Sequence, residues 1–434
     1  MPRKRSASSP HTLLEDMSDT PDTEADLSSA LITLKLGDFQ SRWDTAKSIA
    51  GFGEAAIAPL VQLLQDEAAE DWELTWFIAR ILGNLGHPGA IEALVNLIKS
   101  TDHEEVAGMA ATALSSLGVQ AIAPLQTLLD QESTYRLALQ ALAQIRHPDI
   151  VPSLLEAVHH ASPTLRVAAI EALKNFQQPE IAAVLLQALQ DLDAQVRQAA
   201  VTALGLQAAT NAQDLAERLT PLLWDFHPEV CRQTAIALGR IGTPTAVVGL
   251  FKVLQSPHTP VDLQAAAIRA LAWVGSVEAL DCLHLCLERS PTANSRQPGP
   301  QAAGSQAAAD SPDFLFICQE IITVLGRVES AEAKTQATQM LMQLLQSAHP
   351  IGQTVPGKQA IAHSLGQLGQ LSALEPLIQL LADPTASVRF HVIAALKRLE
   401  PLTAHERLQA LAAQNNLEDR LKQGVAIALQ EWEN

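Results

Sequence analysis

One helical pattern, seen in its cleanest form at Asp193–Gln207 (DAQVRQAAVTALGLQ), returns along the whole of this chain. Within it Val196, Ala200, Val201, Ala203, Leu204 and Gln207 fall on one side of a helix of 3.6 residues per turn. Aligning the copies on the leucine of the Ala-Leu step gives Ile49, Leu82, Leu114, Leu142, Leu173, Leu204, Leu238, Leu271, Leu325, Leu365, Leu396 and Leu429. Successive anchors lie 28 to 34 residues apart, except for two intervals of 54 and 40. A unit of that size cannot bury its own apolar face, so it must stack on its neighbours and one core must run along the chain. The pattern predicts an all-α fold, an α-solenoid of about twelve short two-helix repeats.

The composition fits close helix stacking: 47% of residues are hydrophobic but only 4% aromatic, and alanine is the best helix former. A net charge of −18 argues against a nucleic-acid binder, because phosphate recognition rests on Lys and Arg. Four cysteines in 434 residues are too few for a disulfide scaffold, which points to a reducing, cytoplasmic setting. No apolar run is long enough to span a bilayer; Ala265–Leu287 is interrupted by Arg269, Glu278 and Asp281. The basic Arg3-Lys4-Arg5 has no apolar stretch after it and does not read as a signal peptide.

The expected organisation is a disordered tail over 1–25, repeats over 26–289, a low-complexity insertion over 290–312 and repeats over 313–434 with a capping helix around Trp432. The insertion accounts for the 54-residue interval, and a smaller excursion at Ser347–Gly357 for the 40-residue one. Each unit should hold a first helix with the Val-Arg pattern, then a turn, often with glycine. The second helix should start near a proline, as at Pro59, Pro124, Pro152, Pro221 and Pro376. His87 and His147 recur at equivalent turns, which favours turn chemistry over catalysis.

Stacking the copies turns each helical position into a column. Counting from the anchor, positions −8, −4, −3, −1, 0 and +3 form the apolar arc. Position −7 holds Arg42, Arg166, Arg197, Lys358, Arg389 and Lys422, with Asp191, Asp225 and Asp383 a few residues upstream. That repetition reads as a structural ladder of Asp and Arg side chains tying adjacent turns together, interrupted where Tyr135, Cys231 and Cys318 take the basic slot. Positions −6 and −2 point away from the core. They place Trp43 above Lys47 and Trp76 above Arg80, with Trp72 one turn earlier and Arg136, Arg232 and Arg269 further along. An aromatic and basic strip on an acidic protein reads as a partner-binding groove; the competing structural reading has Trp43 and Trp72 buried beneath the N-terminal tail as a cap.

No catalytic residues emerge. Phosphate loops, GxSxG, HExxH and Cys-x-x-Cys are absent from the sequence. Cys282, His284 and Cys286 invite a metal reading, but His284 points away from the face the two cysteines share, and the column register places Cys286 among core residues such as Leu97. No metal site is expected. Cys231 and Cys318 are expected to be the more exposed thiols.

The Asp…Val-Arg…Ala…Ala-Leu…Leu-Gly strings at Asp191–Leu206, Asp225–Gly242 and Asp383–Leu399, followed by Pro-Leu helices, resemble the short HEAT-like repeats of the phycobilisome lyase type. That resemblance covers about Leu27 to Glu433 apart from the insertion. It implies cyanobacterial relatives that include bilin lyase subunits and scaffold proteins, among them a HEAT-repeat partner of an A-type iron–sulphur carrier. The expectation is a non-catalytic protein-binding scaffold whose partner is a phycobiliprotein or an iron–sulphur carrier. The alternative is a bilin lyase or chromophore-attachment chaperone subunit. No cofactor is predicted from the residues; a bilin, or an iron–sulphur cluster on Cys231, Cys318 or the Cys282/Cys286 pair, is what the resemblance would bring.

Overall fold

The computed structural model describes residues 23–67, 71–207, 211–288, 312–347, 349–414 and 416–433. The expected tail at 1–25 and the insertion at 290–312 lie outside the described residues, apart from Thr23, Glu24 and Ala25, which begin a helix, and Pro312, which begins another. The chain divides into two compact units, Met1–Phe176 and Gln177–Asn434.

The first unit holds α1 (Thr23–Leu36), α2 (Phe39–Ile49), α3 (Ile57–Glu67), α4 (Trp72–Leu85), α5 (Ile91–Ser100), α6 (Glu104–Ser116), α7 (Ile122–Leu128), α8 (Glu132–Gln144), α9 (Val151–Ala157) and α10 (Pro163–Leu173). The second holds α11 (Pro179–Ala188), α12 (Ala194–Leu206), α13 (Ala212–Leu219), α14 (Pro228–Ile241), α15 (Pro244–Gln255), α16 (Val261–Val274) and α17 (Val277–Glu288). It continues with α18 (Pro312–Leu325), α19 (Ala331–Gln346), the single turn α20 (Pro350–Gln353), α21 (Val355–Leu368), α22 (Leu374–Leu380), α23 (Ala386–Leu399), α24 (Pro401–Ala412) and α25 (Asp419–Glu433). Every anchor of the repeat sits on a first helix (α2, α4, α6, α8, α10, α12, α14, α16, α18, α21, α23, α25), and all but Leu429 are buried. Some first helices start with side-chain caps, such as Asp38 accepting from the Ser41 N–H and Asp193 from the Gln195 N–H. Several stop at a left-handed glycine, as at Gly86 and Gly242, where a β-carbon would be strained.

Within each unit the first helices lie closer to one another than the second helices do. The sequence explains why. A glycine directly after the anchor meets a small residue directly before the next anchor: Gly83 with Ala113, Gly205 with Ala237, Gly239 with Ala270, Gly326 with Ser364 and Gly366 with Ala395. A β-carbon on Gly239 would lie only 2.9 Å from that of Ala270. A row packed more tightly on one side bends toward that side, so in each unit the outward faces of the first helices line the inner surface.

The column of basic residues joins successive repeats. Arg197 donates to the carbonyls of Asp191 and Leu192 at 2.8 and 3.1 Å, and to the Asp225 carboxylate at 2.8 and 2.7 Å. Arg166 reaches the carbonyls of His160 and Ala161, and Arg389 those of Asp383 and Pro384. Buried Arg42 takes the Leu34 and Lys35 carbonyls together with Asp71 and Glu73, and Lys358 pairs with Asp383 at 2.7 Å. Lys422 is exposed. In the slots without a basic residue, Tyr135 packs its ring 4.5 Å from that of His160, and the Cys231 thiol donates to the Asp225 carbonyl at 3.1 Å. Gln264 occupies the same slot and donates to the Thr259 carbonyl at 2.8 Å. The recurring histidines do turn work: His87 and His147 accept the backbone N–H of Gly89 and Asp149 through Nδ1.

Two local expectations are corrected. Pro221 does not open a second helix; that helix is α13, and Thr220–Trp224 is a 3-10 turn continuing from its end. The proline follows two turns of α13, at whose end Thr220 donates both its backbone N–H and its hydroxyl to the Ala216 carbonyl. The stretch 347–357 is not a free excursion: α20 buries Ile351, and His349 Nε2 lies 2.8 Å from the Leu287 carbonyl.

Burial raises the carboxyl pKa of Asp71, Asp225 and Asp383, but hydrogen bonds and charge from Arg42, Arg197 and Lys358 outweigh it and hold all three below the usual carboxylate value. A lowered folded value means stability that is present above the unfolded value of about 3.9 and is lost as pH falls through the folded values. Asp225→Asn should therefore cost about 2 kcal/mol at pH 7, with the gap to wild type closing below pH 4 in urea titrations. Gly239→Val should destabilise by about 1–3 kcal/mol at every pH through overpacking against Ala270.

Candidate functional site

The outward face of a first helix is the −6, −2 and +2 stripe, opposite the anchor. In the first unit it carries an aromatic cluster built on α2 and α4. The Arg80 guanidinium lies 3.8 Å from the ring of Trp43 and 5.6 Å from that of Trp76, so it is shared between two repeats. Lys47 sits 5.9 Å over Trp43 and 3.3 Å from Asp44. The pairing read from the sequence, each Trp with the cation of its own helix, is therefore modified. Inter-repeat spacing brings Arg80 closer to the neighbouring Trp43 than to Trp76 one turn away. Phe77 braces the cluster edge-on, 5.2 Å from Trp76 and 6.3 Å from Trp43. Both Trp43 and Trp76 are half-buried, whereas Trp72 is 48% exposed and stacks on His103.

Arg136 also lies on the first unit's outward stripe, over a cavity of about 330 Å³, but it donates to Glu104 at 2.5 Å. In the second unit Arg232 is paired with Glu229 of its own helix, and Arg269 donates to Glu320 at 2.8 Å. These three arginines are not bare cations: each already holds a carboxylate.

The second unit contains what the sequence reading missed. A groove of about 470 Å³ runs over α14, α16 and α18, lined by Arg232, Ile236, Arg240, Arg269, Trp273 and Phe316. Trp273 is 74% exposed, Ile236 41% and Phe316 43%. A second cavity of about 680 Å³ adjoins it at Trp273 and reaches Arg327. A third, of about 530 Å³, shares Arg232 and carries Trp224 and the fully exposed Phe226. The sequence carries the signal: Trp273 stands two residues after the anchor Leu271, one turn beyond −2 on the same stripe.

The thiols are placed opposite to expectation. Cys231 and Cys318 are buried, and Cys282 and Cys286 are half-buried. The −7 column faces the neighbouring repeat, so the residues that replace arginine there are covered. On α17 the core column is filled by Leu280, Leu283 and Leu287, which leaves Cys286 beside the core and not in it. Burial raises the Cys231 and Cys282 thiols and pushes Cys318 up to about 12. Among the described residues no group of three or more His, Cys, Asp or Glu side chains is arranged to hold a metal ion, and no helix is long and apolar enough to cross a membrane.

A family model described as HEAT repeats matches residues 57–137, 130–205 and 216–298, together more than half of the chain. No curated protein matches the sequence. Among solved structures, one similar chain belongs to the complex described as Kap95p binding inducing the switch loops of RanGDP to adopt the GTP-bound conformation. The match has 15% identity and a TM-score of 0.59, covering 94% of this chain and 60% of that one. Importin beta in an ammonium sulfate condition is similar at 15% identity and a TM-score of 0.50, over 94% of this chain and 62% of that one. The chain thus spans about three-fifths of the length of these solved chains, and at that identity the likeness is one of fold.

Thiol burial sets an order of reactivity. In the native protein at pH 8, iodoacetamide should label Cys282 and Cys286 and spare Cys231 and Cys318 until denaturant is added, as read by peptide mass mapping. Early labelling of Cys318 would contradict the packing of α18.

Proposed function

We propose, from the premise that this chain belongs to the HEAT-repeat family, that it is a non-catalytic protein-binding scaffold that holds its partner on the outward faces of its first helices. The observation that carries this is the groove on α14, α16 and α18. Stacking the repeats needs none of Ile236, Trp273 or Phe316, yet all three are large, apolar and exposed around one cavity. Kap95p, in the structural likeness, is described as binding RanGDP, which supports the same use of a helical stack. On the resemblance to phycobilisome-type repeats, the partner we propose is a phycobiliprotein or an iron–sulphur carrier.

A second reading is supported by the Arg80 guanidinium between Trp43 and Trp76. A planar tetrapyrrole could stack on the Trp rings and pair its propionates with the cation, as a bilin lyase or chaperone subunit requires. This reading differs from the first in its readout, because a bound bilin changes colour.

A photo-crosslinking residue placed at position 236 should yield protein adducts in a lysate of the source cells. The same residue at the exposed Val248, on the second helix α15, should not. Equal yields at the two positions would refute the assignment of the inner face. Mixing with bilin should leave the bilin absorption band unchanged if the scaffold reading holds. A band that shifts with wild type but not with Trp43→Ala/Trp76→Ala would favour the lyase reading instead.

A further inference from the structure

The column two residues after the anchor is rich in cations on the outward face of the second unit. From α12 to α23 in the second unit it reads Leu206, Arg240, Trp273, Arg327, Gln367 and Arg398, before Glu431 follows the last anchor, in a protein of net charge −18. Arg240 and Trp273 stand on the consecutive first helices α14 and α16, and Arg327 in the turn directly after α18, so an exposed indole stands between two exposed guanidinium groups. Arg240 lines the 470 Å³ groove and Arg327 the adjoining 680 Å³ cavity, and Trp273 lines both. Arg232 and Arg269 in the same region are each held by a glutamate. Arg240 and Arg327 have no carboxylate partner among the described residues. Trp273 likewise makes no ring or cation–π contact among them.

The groove is also polarised along its length. Glu229 and Asp262 lie in the first turns of α14 and α16, with Arg232 held by Glu229 at that end, whereas the unpaired Arg240 and Arg327 lie in the last turn of α14 and just after α18. From Asp262 to Trp273 a helix rises about 16 Å. Helix dipoles account for acids at one end and bases at the other. They do not account for a tryptophan that is 74% exposed between two of the bases.

We infer that this end of the groove takes an acidic protein segment. One large apolar side chain of the segment packs against Trp273 between Ile236 and Phe316, and carboxylates on either side pair with Arg240 and Arg327 in the bidentate geometry that guanidinium favours. The inference rests on the scaffold reading and adds to it the chemistry of the occupant. A basic segment would meet repulsion at this end, and a nucleic acid would have to approach a strongly acidic molecule.

The test is selection of a random twelve-residue phage-display library on the full chain, run in parallel on Arg240→Glu/Arg327→Glu and on Trp273→Ala. All three positions are exposed, and circular dichroism checks that each variant keeps its helix content. Wild type should enrich peptides that combine Asp or Glu with Phe, Trp or Leu. Synthetic copies should bind the charge-reversed variant at least tenfold more weakly, and the weakening should be smaller at high salt. Trp273→Ala should bind the same peptides at least tenfold more weakly than wild type. Enrichment without acids, peptides that survive charge reversal, or no enrichment at all would each overturn the inference. So would a single-stranded polyuridylate that competes as well as the peptides. A charge-reversed variant that melts lower yet selects the same peptides would assign the arginines to the helix ends alone. If the crosslinker at position 236 still captures a protein in any of those cases, the scaffold reading stands and only the acidic occupant is lost.

Discussion

The stacking depends on how closely one first helix can approach the next. Bare glycine backbone against alanine or serine lets the row pack at distances no β-carbon would allow, with Gly83 on Ala113 in one unit and Gly366 on Ala395 in the other. Dispersion contacts are gained along the whole length of each helix, and no bulky side chain holds the pair apart. The close row also fixes which surface is inner. Side chains at −6, −2 and +2 of neighbouring repeats are brought together there, so residues far apart in sequence, such as Ile236, Trp273 and Phe316, come to share one groove.

The electrostatics follow from the same geometry. Helices that end in close succession leave carbonyl groups needing donors, and the arginine column supplies them: Arg166, Arg197 and Arg389 each bind two carbonyls of the turn before their own helix. The same guanidinium, in Arg42 and Arg197, reaches forward to an aspartate of the next repeat. Much of the small stock of cations in this chain is thereby committed to structure or, like Arg136 and Arg269, to a surface glutamate. The cations left over on an inner surface are then conspicuous, and Arg240 and Arg327 are such cations.

The fold was legible in the sequence because a period of about 32 residues, repeated many times, averages out local ambiguity. A buried Leu238 or Leu365 needs no partner identified in advance, since its copy in the next repeat is the partner. What failed were places where one copy departs from the rest. Pro221 carries the right local signal but follows a helix that had already started at Ala212. Cys286 shares the column of the buried Leu97 yet is only half-buried, because Leu280, Leu283 and Leu287 fill the core side of α17, and one copy's depth of burial is not carried by the periodicity. The candidate site was half visible. Trp43, Trp76 and Arg80 do form one cluster, and Trp273 lies on the same stripe, but which neighbours close a groove around it depends on how the helices sit side by side.

The slots where the column loses its arginine bear on mechanics. Between α12 and α14 the joint is riveted by Arg197 and Asp225, whereas the joint between α14 and α16 has Cys231 and Gln264, each giving one neutral hydrogen bond to a nearby carbonyl. In an array where cohesion is carried only by adjacent members, such a joint rests on close packing, here Gly239 against Ala270, in place of an ion pair. That seam runs under the groove, so a guest laid across α14, α16 and α18 would add a polar tie between repeats where the arginine column supplies none.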